Sequence, residues 1–346
     1  MSEAVGRSPR RRGGVVLLVL LVALPLALAG ATAVGSVALP LGGILRSIAS
    51  RLHLAAGSGL DPTGEAILWS VRLPRVLLAA VVGGGLAVVG ATLQAVFRNP
   101  LADSGLLGVG AGAALGAVIA VHLGWSASVF LALPAAAFVG ALSAILLVYT
   151  LAQAGGRATL QGLLLTGIAV SALASAATSM LLVATEEFRV KTVLFWLAGG
   201  LEARGWTHLQ LAAACVLPGA ALLWLLGRPL DLLSLGEEEA SALGLAVHPM
   251  RLVFFALCSL VAGAATAVAG AVPFVGLMAP HALRPLVGPL ARHLLPASFL
   301  AGALLVVLAD AGARTLSQSV DLPLGSLTAF VGAPYFLLAL RNEARA

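Results

Sequence analysis

Charge is scarce in this chain. Of its 346 residues only 10% are Asp, Glu, Lys or Arg, against about a quarter in an ordinary soluble domain. Lysine is nearly absent. Lys191 stands alone and outside any G-x-x-x-x-G-K-[ST] pattern, so no phosphate-cradling loop of that type is present and no ATP hydrolysis by this chain is expected. The two cysteines, Cys215 and Cys258, fall inside apolar runs and read as small buried hydrophobes rather than a disulfide or a metal pair. His53, His122, His208, His248, His281 and His293 show no metal-ligand spacing, so no metal site is expected. Long polar segments are missing too. The longest, Leu41 to Val71, has room for an amphipathic helix and a loop. A nucleotide-hydrolysing or ligand-capturing domain is therefore expected on another polypeptide.

What fills the chain is apolar: 60% of the residues are hydrophobic and the mean hydropathy is +1.05. A bilayer is the solvent that makes such a composition sensible, at roughly 20 apolar residues per crossing. Candidate spans fall at 15–38, 72–97, 105–123, 129–152, 160–184, 206–227, 250–271, 273–289, 296–313 and 325–341. A barrel would show short alternating strands instead. The expected fold is all-α and polytopic: one transmembrane domain over 1–346, with a tail at 1–14 and a loop at 231–249.

The formal charge of +6 does not point to nucleic acid, because the basic residues are scattered. The one cluster, Arg7 with Arg10 to Arg12, precedes the first span and reads as a cytoplasmic topology anchor. An even number of spans puts both termini inside, in agreement with Arg341 and Arg345. Many arginines nevertheless fall outside, Arg72, Arg75, Arg204 and Arg314 among them. The N-terminus also resembles a secretory signal peptide, whose removal would leave nine spans. The run from Val15 to Ala38 is longer than a normal signal core, which favours an uncleaved first helix.

Polar punctuation between the spans carries the functional signal. "RLPR" (Arg72 to Arg75) opens the second span with Pro74 in its first turn, and its two arginines, three apart, share a face. Asp310 and Arg314 are spaced i, i+4 at the end of the ninth span, so the acid can hold the base in position. Three arginines on one outer surface would accept carboxylates from a partner. "RNP" (Arg98 to Pro100) breaks the second span on the inner side, where irregular backbone needs protein or a water-filled cavity around it. Gly108, Gly112 and Gly116 follow at intervals of four, a spacing that lets helices approach closely. "QAGGRATLQG" (Gln153 to Gly162) makes a second inner break, before a helix carrying Thr166, Ser171, Ser175, Thr178 and Ser179. Those hydroxyls either bond back to their own helix or face a polar passage. In "SLGEEEASALGLAVHP" (Ser234 to Pro249), Glu237, Glu238 and Glu239 favour the start of a short helix and Gly244 its end. Leu235, Ala240 and Leu243 give that helix an apolar side. It is either a solvated loop or a docking helix for a cytoplasmic subunit. Asp310 is the main ionisable group within a span, and this scarcity counts against a proton-coupled carrier.

These segments together resemble the permease subunits of type II ABC importers, the bacterial family that takes up cobalamin, iron–siderophore complexes and haem. The resemblance runs from about residue 60 to the end, through "RLPRVLLAAVVGGGLAVVGATLQAVFRNPLADSGLLGVGAGAALG", "LLLTGIAVSAL", "ASALGL", "PFVGLMAPHALR", "LADAGARTL" and "LPLGSLTAFVGAPYFLLAL". It implies about ten helices per subunit and two copies around a central pathway in the bacterial inner membrane. Two cytoplasmic ATP-binding subunits, which bind ATP and Mg, and a periplasmic substrate-binding protein would complete the assembly. The chain itself would bind no cofactor and catalyse nothing. The resemblance assigns Arg72, Arg75 and Arg314 to docking of the binding protein, and Asn99 and Leu101 to a cytoplasmic gate. Thr159 and Leu160 would form the other side of that gate, in a loop that departs from the family's usual polar sequence. Glu238, Glu239, Ala240, Leu243 and Gly244 match the element that couples to the ATPase. Phe97 before Arg98-Asn99 and the first block look most like haem permeases, with iron–siderophore and cobalamin permeases next. An ion-coupled secondary transporter, a membrane-embedded enzyme and a structural membrane protein are the rival classes.

Overall fold

The computed structural model describes residues 9–35, 37–54, 57–153, 159–316 and 322–343. Arg7 and Arg345 of the topology argument, and residues 154–158 of the second inner break, lie outside them.

The chain runs through α1 (Pro9–Ala33), α2 (Leu41–Arg51), α3 (Pro62–Ala66), a π-helical turn at Ile67–Arg72, α4 (Leu73–Phe97) and a 3-10 turn at Ser104–Leu107. It continues through α5 (Val109–His122), α6 (Trp125–Ser128), α7 (Ala132–Gln153), α8 (Leu160–Val183), α9 (Glu187–Ala198) and α10 (Trp206–Leu225). It ends with α11 (Gly227–Leu235), α12 (Glu237–Ala242), α13 (Val247–Ala269), α14 (Val275–Val287), α15 (Ala291–Leu316) and α16 (Leu324–Glu343).

Each expected span has a helix: α1, α4, α5, α7, α8, α10, α13, α14, α15 and α16. Seven helical stretches among the described residues are long and apolar enough to cross a bilayer. The figure of about ten therefore leans on α5, α14 and α16, which are shorter or less uniformly apolar. Length alone does not make α14 a span: it has 13 residues and holds Pro280 and Pro285.

The second span does not begin at "RLPR". The helix starts at Pro62, where the Asp61 carboxylate accepts from the Gly64 N–H at 3.0 Å, and it continues unbroken to Phe97. Pro74 then lies inside a continuous helix, where its ring would clash with a carbonyl one turn back. The π-helical turn at Ile67–Arg72 loosens the backbone just before it, the local widening such a site requires.

α4 is the axis of the molecule. It is apolar all round and almost wholly buried, as a helix enclosed on every side must be, and α15, α10, α14 and α13 pack around it. α1 and α8 are mostly exposed instead, with Leu165, Ile168, Leu173 and Met180 of α8 facing outward. The bundle has two ends, named here for α4: the Arg72 end, where α1 and α15 finish, and the Asn99 end, which carries α11 and α12.

Candidate functional site: two ends of a helical bundle

The Arg72 end is built on one buried carboxylate. Asp310 on α15 is 1% exposed. Its Oδ1 accepts from Arg75 Nε at 2.9 Å and its Oδ2 from Arg314 Nε at 3.0 Å. The i, i+4 spacing read from the sequence is thus a real pair. The expectation of three arginines laid out on a surface needs correction, because all three guanidinium groups turn inward. Arg72, 5% exposed, donates to the carbonyls of Thr32 and Ala33 at 2.9 Å each and to that of Val37. Arg314 also donates to the carbonyls of Ala31 at 2.9 Å and Val34 at 2.8 Å. The physical cause is helix α1: its last carbonyls have no intrahelical partner, and the arginines of α4 and α15 supply the missing donors. Three cations around one acid leave the cluster net positive.

At the Asn99 end, α4 stops at Arg98, whose φ of 50° is left-handed. The Asn99 side chain closes the turn by accepting from the Leu101 N–H at 2.9 Å. Leu101 is left 43% exposed. Thr159 caps α8, its Oγ1 accepting from the Gly162 N–H at 3.0 Å, and Leu160 opens the helix half-buried. The two breaks therefore stand at one end of the bundle, and the Ser104–Leu107 turn packs directly on α8.

The glycine series divides. Gly108 does not line a helix face: it precedes α5 with φ 75°, a conformation glycine adopts without strain. Gly112 and Gly116 do meet a partner, since a Cβ on either would overlap the backbone of α7, at the Gly140 and Ala136 carbonyls. Two equally tight crossings, Gly83 against Gly302 and Gly90 against Gly276, are not legible from residue spacing.

α12 is a short helix with Glu238, Glu239 and Leu243 exposed, and Gly244 ends it at φ 83°. Ala240 needs correction, because it is fully buried beneath the helix and offers nothing to a partner. Glu237 pairs with the buried Arg251 of α13, tying α12 to the bundle. Asp231 on α11 accepts from the Ala291 N–H at 2.8 Å. Burial pushes its carboxyl above the ordinary range, with that N–H and Arg292 pulling the other way.

Two polar residues inside spans escaped the sequence reading. Gln94 of α4 is buried, donates to the Gly276 carbonyl at 3.2 Å and accepts from Arg284 at 2.9 Å. They border a cavity with Arg98, Asn99 and His281 at the Asn99 end. Helix periodicity would have put Gln94 within reach of a neighbour, but nothing in the sequence names the neighbour. Two hydroxyls of α8 take the self-satisfying alternative: Thr178 donates to the Ala174 carbonyl and Ser179 to that of Ser175. Phe97 stacks on Phe255, ring centres 5.5 Å apart, as part of the core. Among the described residues no group of His, Cys, Asp and Glu could hold a metal ion.

Long apolar helices with polar breaks at both ends of the bundle make this a multi-helix membrane protein. The chain belongs to the FecCD transport family, which matches residues 15–342. It is 42% identical to the hemin transport system permease protein HmuU of Yersinia pestis, over 80% of this chain and 84% of that one. It is 41% identical to the cobalamin import system permease protein BtuC of Halobacterium salinarum, over 82% of this chain and 76% of that one. With the Fe(3+)-citrate import system permease protein YfmE of Bacillus subtilis it shares 40% identity, over 83% and 85% of the two chains. A solved metal-chelate type ABC transporter in an inward-facing conformation superimposes with a TM-score of 0.83 at 32% identity, covering 94% of this chain and 99% of that one. The family is one of ABC transporter permease subunits, in which a separate subunit hydrolyses ATP. The chain is accordingly a multi-pass membrane protein and a permease subunit of this family.

Proposed function

We propose that the chain is the membrane subunit of an ATP-driven importer for an iron-containing chelate, haem first, with iron–siderophore and cobalamin as the other cargoes. The Arg72 end faces outward and the Asn99 end, with both termini, faces the cytoplasm. Two copies enclose the pathway and cover part of the exposed apolar face of α8. Two ATP-binding subunits, which hold ATP and Mg, press on α12 through Glu238, Glu239 and Leu243. Asn99 and Leu101 of one break, with Thr159 and Leu160 of the other, close the inner mouth. A substrate-binding protein docks at the other end, drawn by the net positive cluster of Arg72, Arg75 and Arg314. With those guanidinium groups already bonded internally, their contribution is a field that attracts carboxylates as much as a direct contact.

The observation that carries this reading is α12: a short helix tied down by Glu237–Arg251, with acidic and leucine side chains left outside the bundle. Asp310 argues against an ion-coupled carrier, because both of its carboxylate oxygens are taken up by arginines in a structural cluster. Haem is placed first on the resemblance of the first block, since identity to the haem, cobalamin and ferric-citrate permeases is nearly equal. The test is uptake into proteoliposomes containing the chain, an ATPase and a binding protein, with haem, a ferric siderophore and cobalamin compared. ATP-dependent haem accumulation is expected. Accumulation by the purified chain alone on an ion gradient would overturn the proposal.

A further inference from the structure

A groove of about 440 Å³ lies open on the flank of the bundle between α1, α10 and α15, toward the Asn99 end. Leu217, Ala221 and Trp224 form its α10 wall, Pro296 and Phe299 its α15 wall, and Leu17 of α1 the third side. The buried Val88 of α4 is its floor. None of the lining residues is charged, so water finds little to bond there. From Trp224 to Leu217 α10 rises about 10 Å, which fits within one leaflet of a hydrocarbon core about 30 Å thick. α8, whose exposed face the second copy covers in the proposed assembly, packs on α5 and α7 and borders none of this groove.

A proline shapes the rim at the Asn99 end. Pro296 has no N–H to give the Arg292 carbonyl one turn back, and the Trp224 indole supplies the donor, its Nε1 lying 3.2 Å from that carbonyl. Trp224 is thereby fixed at the groove's mouth, ring on the apolar wall and N–H on the backbone, as suits a tryptophan at a membrane surface. Arg292 stands four residues before Pro296 and Arg228 four after Trp224, so each continues a row of lining residues at helical spacing. Their backbones meet: a Cβ on Gly227 would stand 3.3 Å from Ala291 Cβ and 3.6 Å from Arg292 N. Both arginines are exposed, and among the described residues neither makes an ion pair. Asp231, the acid at this rim, is half-buried, accepts from the Ala291 N–H at 2.8 Å and offsets one of the two charges. α1 enters from the same end with the run Arg10, Arg11 and Arg12, so this end of the groove stays net positive.

We propose that this groove holds one anionic phospholipid, its acyl chain between α1, α10 and α15 and its headgroup phosphate accepting from Arg228 and Arg292. An uncharged trough and two unpaired cations meet where a lipid changes from tail to headgroup. A small soluble anion would match the arginines and leave the trough empty, and an apolar helix would match the trough and leave the arginines unpaired. The headgroup is anionic because a zwitterionic one would set its own cation against the arginines, and each arginine near an anionic lipid surface adds to the attraction. The proposal needs only that the chain spans a bilayer and is independent of the cargo.

The probes are phosphatidylglycerol and phosphatidylcholine with the same acyl chains, and glycerol 3-phosphate as the free headgroup anion. Binding of the first lipid per chain is measured by native mass spectrometry on the full-length permease in detergent, with thermal melting as the folding control. Wild type should bind phosphatidylglycerol about tenfold tighter than phosphatidylcholine, as for two arginines near an anionic headgroup, and glycerol 3-phosphate should not compete. Arg228→Gln combined with Arg292→Gln should erase that preference. Ala221→Phe, at an exposed position of the wall, fills the trough and should weaken both lipids; Ala221→Leu replaces it if melting falls. Arg46→Gln, at an exposed arginine of α2 on the Arg72 end, should behave as wild type. Equal binding of the two lipids by wild type, a preference that survives the double substitution, or the same loss in Arg46→Gln overturns the site. Competition by glycerol 3-phosphate overturns it too, by showing a plain anion site. So does lipid binding unchanged in Ala221→Phe, and if that variant also loses self-association the groove belongs to a second copy.

Discussion

Arg75 and Asp310, 235 positions apart in the chain, meet at 2.9 Å in the buried cluster that closes the Arg72 end. Because Arg314 shares the same carboxylate, and Arg314 and Arg72 hold the last carbonyls of α1, one acid organises three helices. Removing one partner of a buried ion pair leaves a charge unpaired and costs about 3–5 kcal/mol. Asp310→Ala should therefore lower the melting temperature in detergent by several degrees. Asp310→Asn, which keeps the shape and loses the charge, should fall between. A melting temperature equal to wild type for Asp310→Ala would show that the cluster does not hold α1.

Gly112 lies against the Gly140 carbonyl of α7 with no room for a β-carbon. Gly112→Leu must push α5 off α7, and overpacking of this kind costs about 1–3 kcal/mol or more. Loss of the monodisperse peak in gel filtration is the expected readout. Gly110→Ala is the control, since nothing stands within 4 Å of its added methyl, and it should elute as wild type.

α12 is held by Glu237 and presents Glu238, Glu239 and Leu243 outward. Leu243→Glu should leave the stability within about 0.5 kcal/mol of wild type, as for an exposed substitution, and reduce co-purification of the ATPase subunit severalfold. Full recovery of the complex with Leu243→Glu would remove α12 from that interface.

Asp231 gives a pH effect with a definite sign. Its carboxyl titrates higher in the folded chain than in the unfolded one because of burial, so the folded state binds the extra proton in the window above the ordinary carboxylate value. Stability should rise as pH falls through that window. Asp231→Asn keeps the acceptor for the Ala291 N–H and loses the titration. Melting curves from neutral to mildly acidic buffer should show a shallower slope for the variant; an unchanged slope would assign the effect to another group.

The sequence by itself determined where the chain can cross a membrane and where it cannot. Apolar length fixes the helices α1, α4, α7, α8, α10, α13 and α15, and the polar breaks at Arg98-Asn99-Pro100 and before Thr159 are visible as local interruptions. It did not show that α4 extends back to Pro62, because Pro74 is a strong local stop signal that only a π-helical turn relieves. It passed over α9, whose charges at Glu187, Arg189 and Lys191 mask a helix packed through Val193 and Trp196. Only the tertiary structure decided the partners. Arg72 finds its acceptors some 40 residues upstream, Gln94 finds Arg284, and the Trp196 indole N–H finds none among the described residues. Hydropathy and periodicity are properties of neighbours along the chain, whereas a buried polar group is satisfied by whatever the packing of distant helices brings within 3 Å or so.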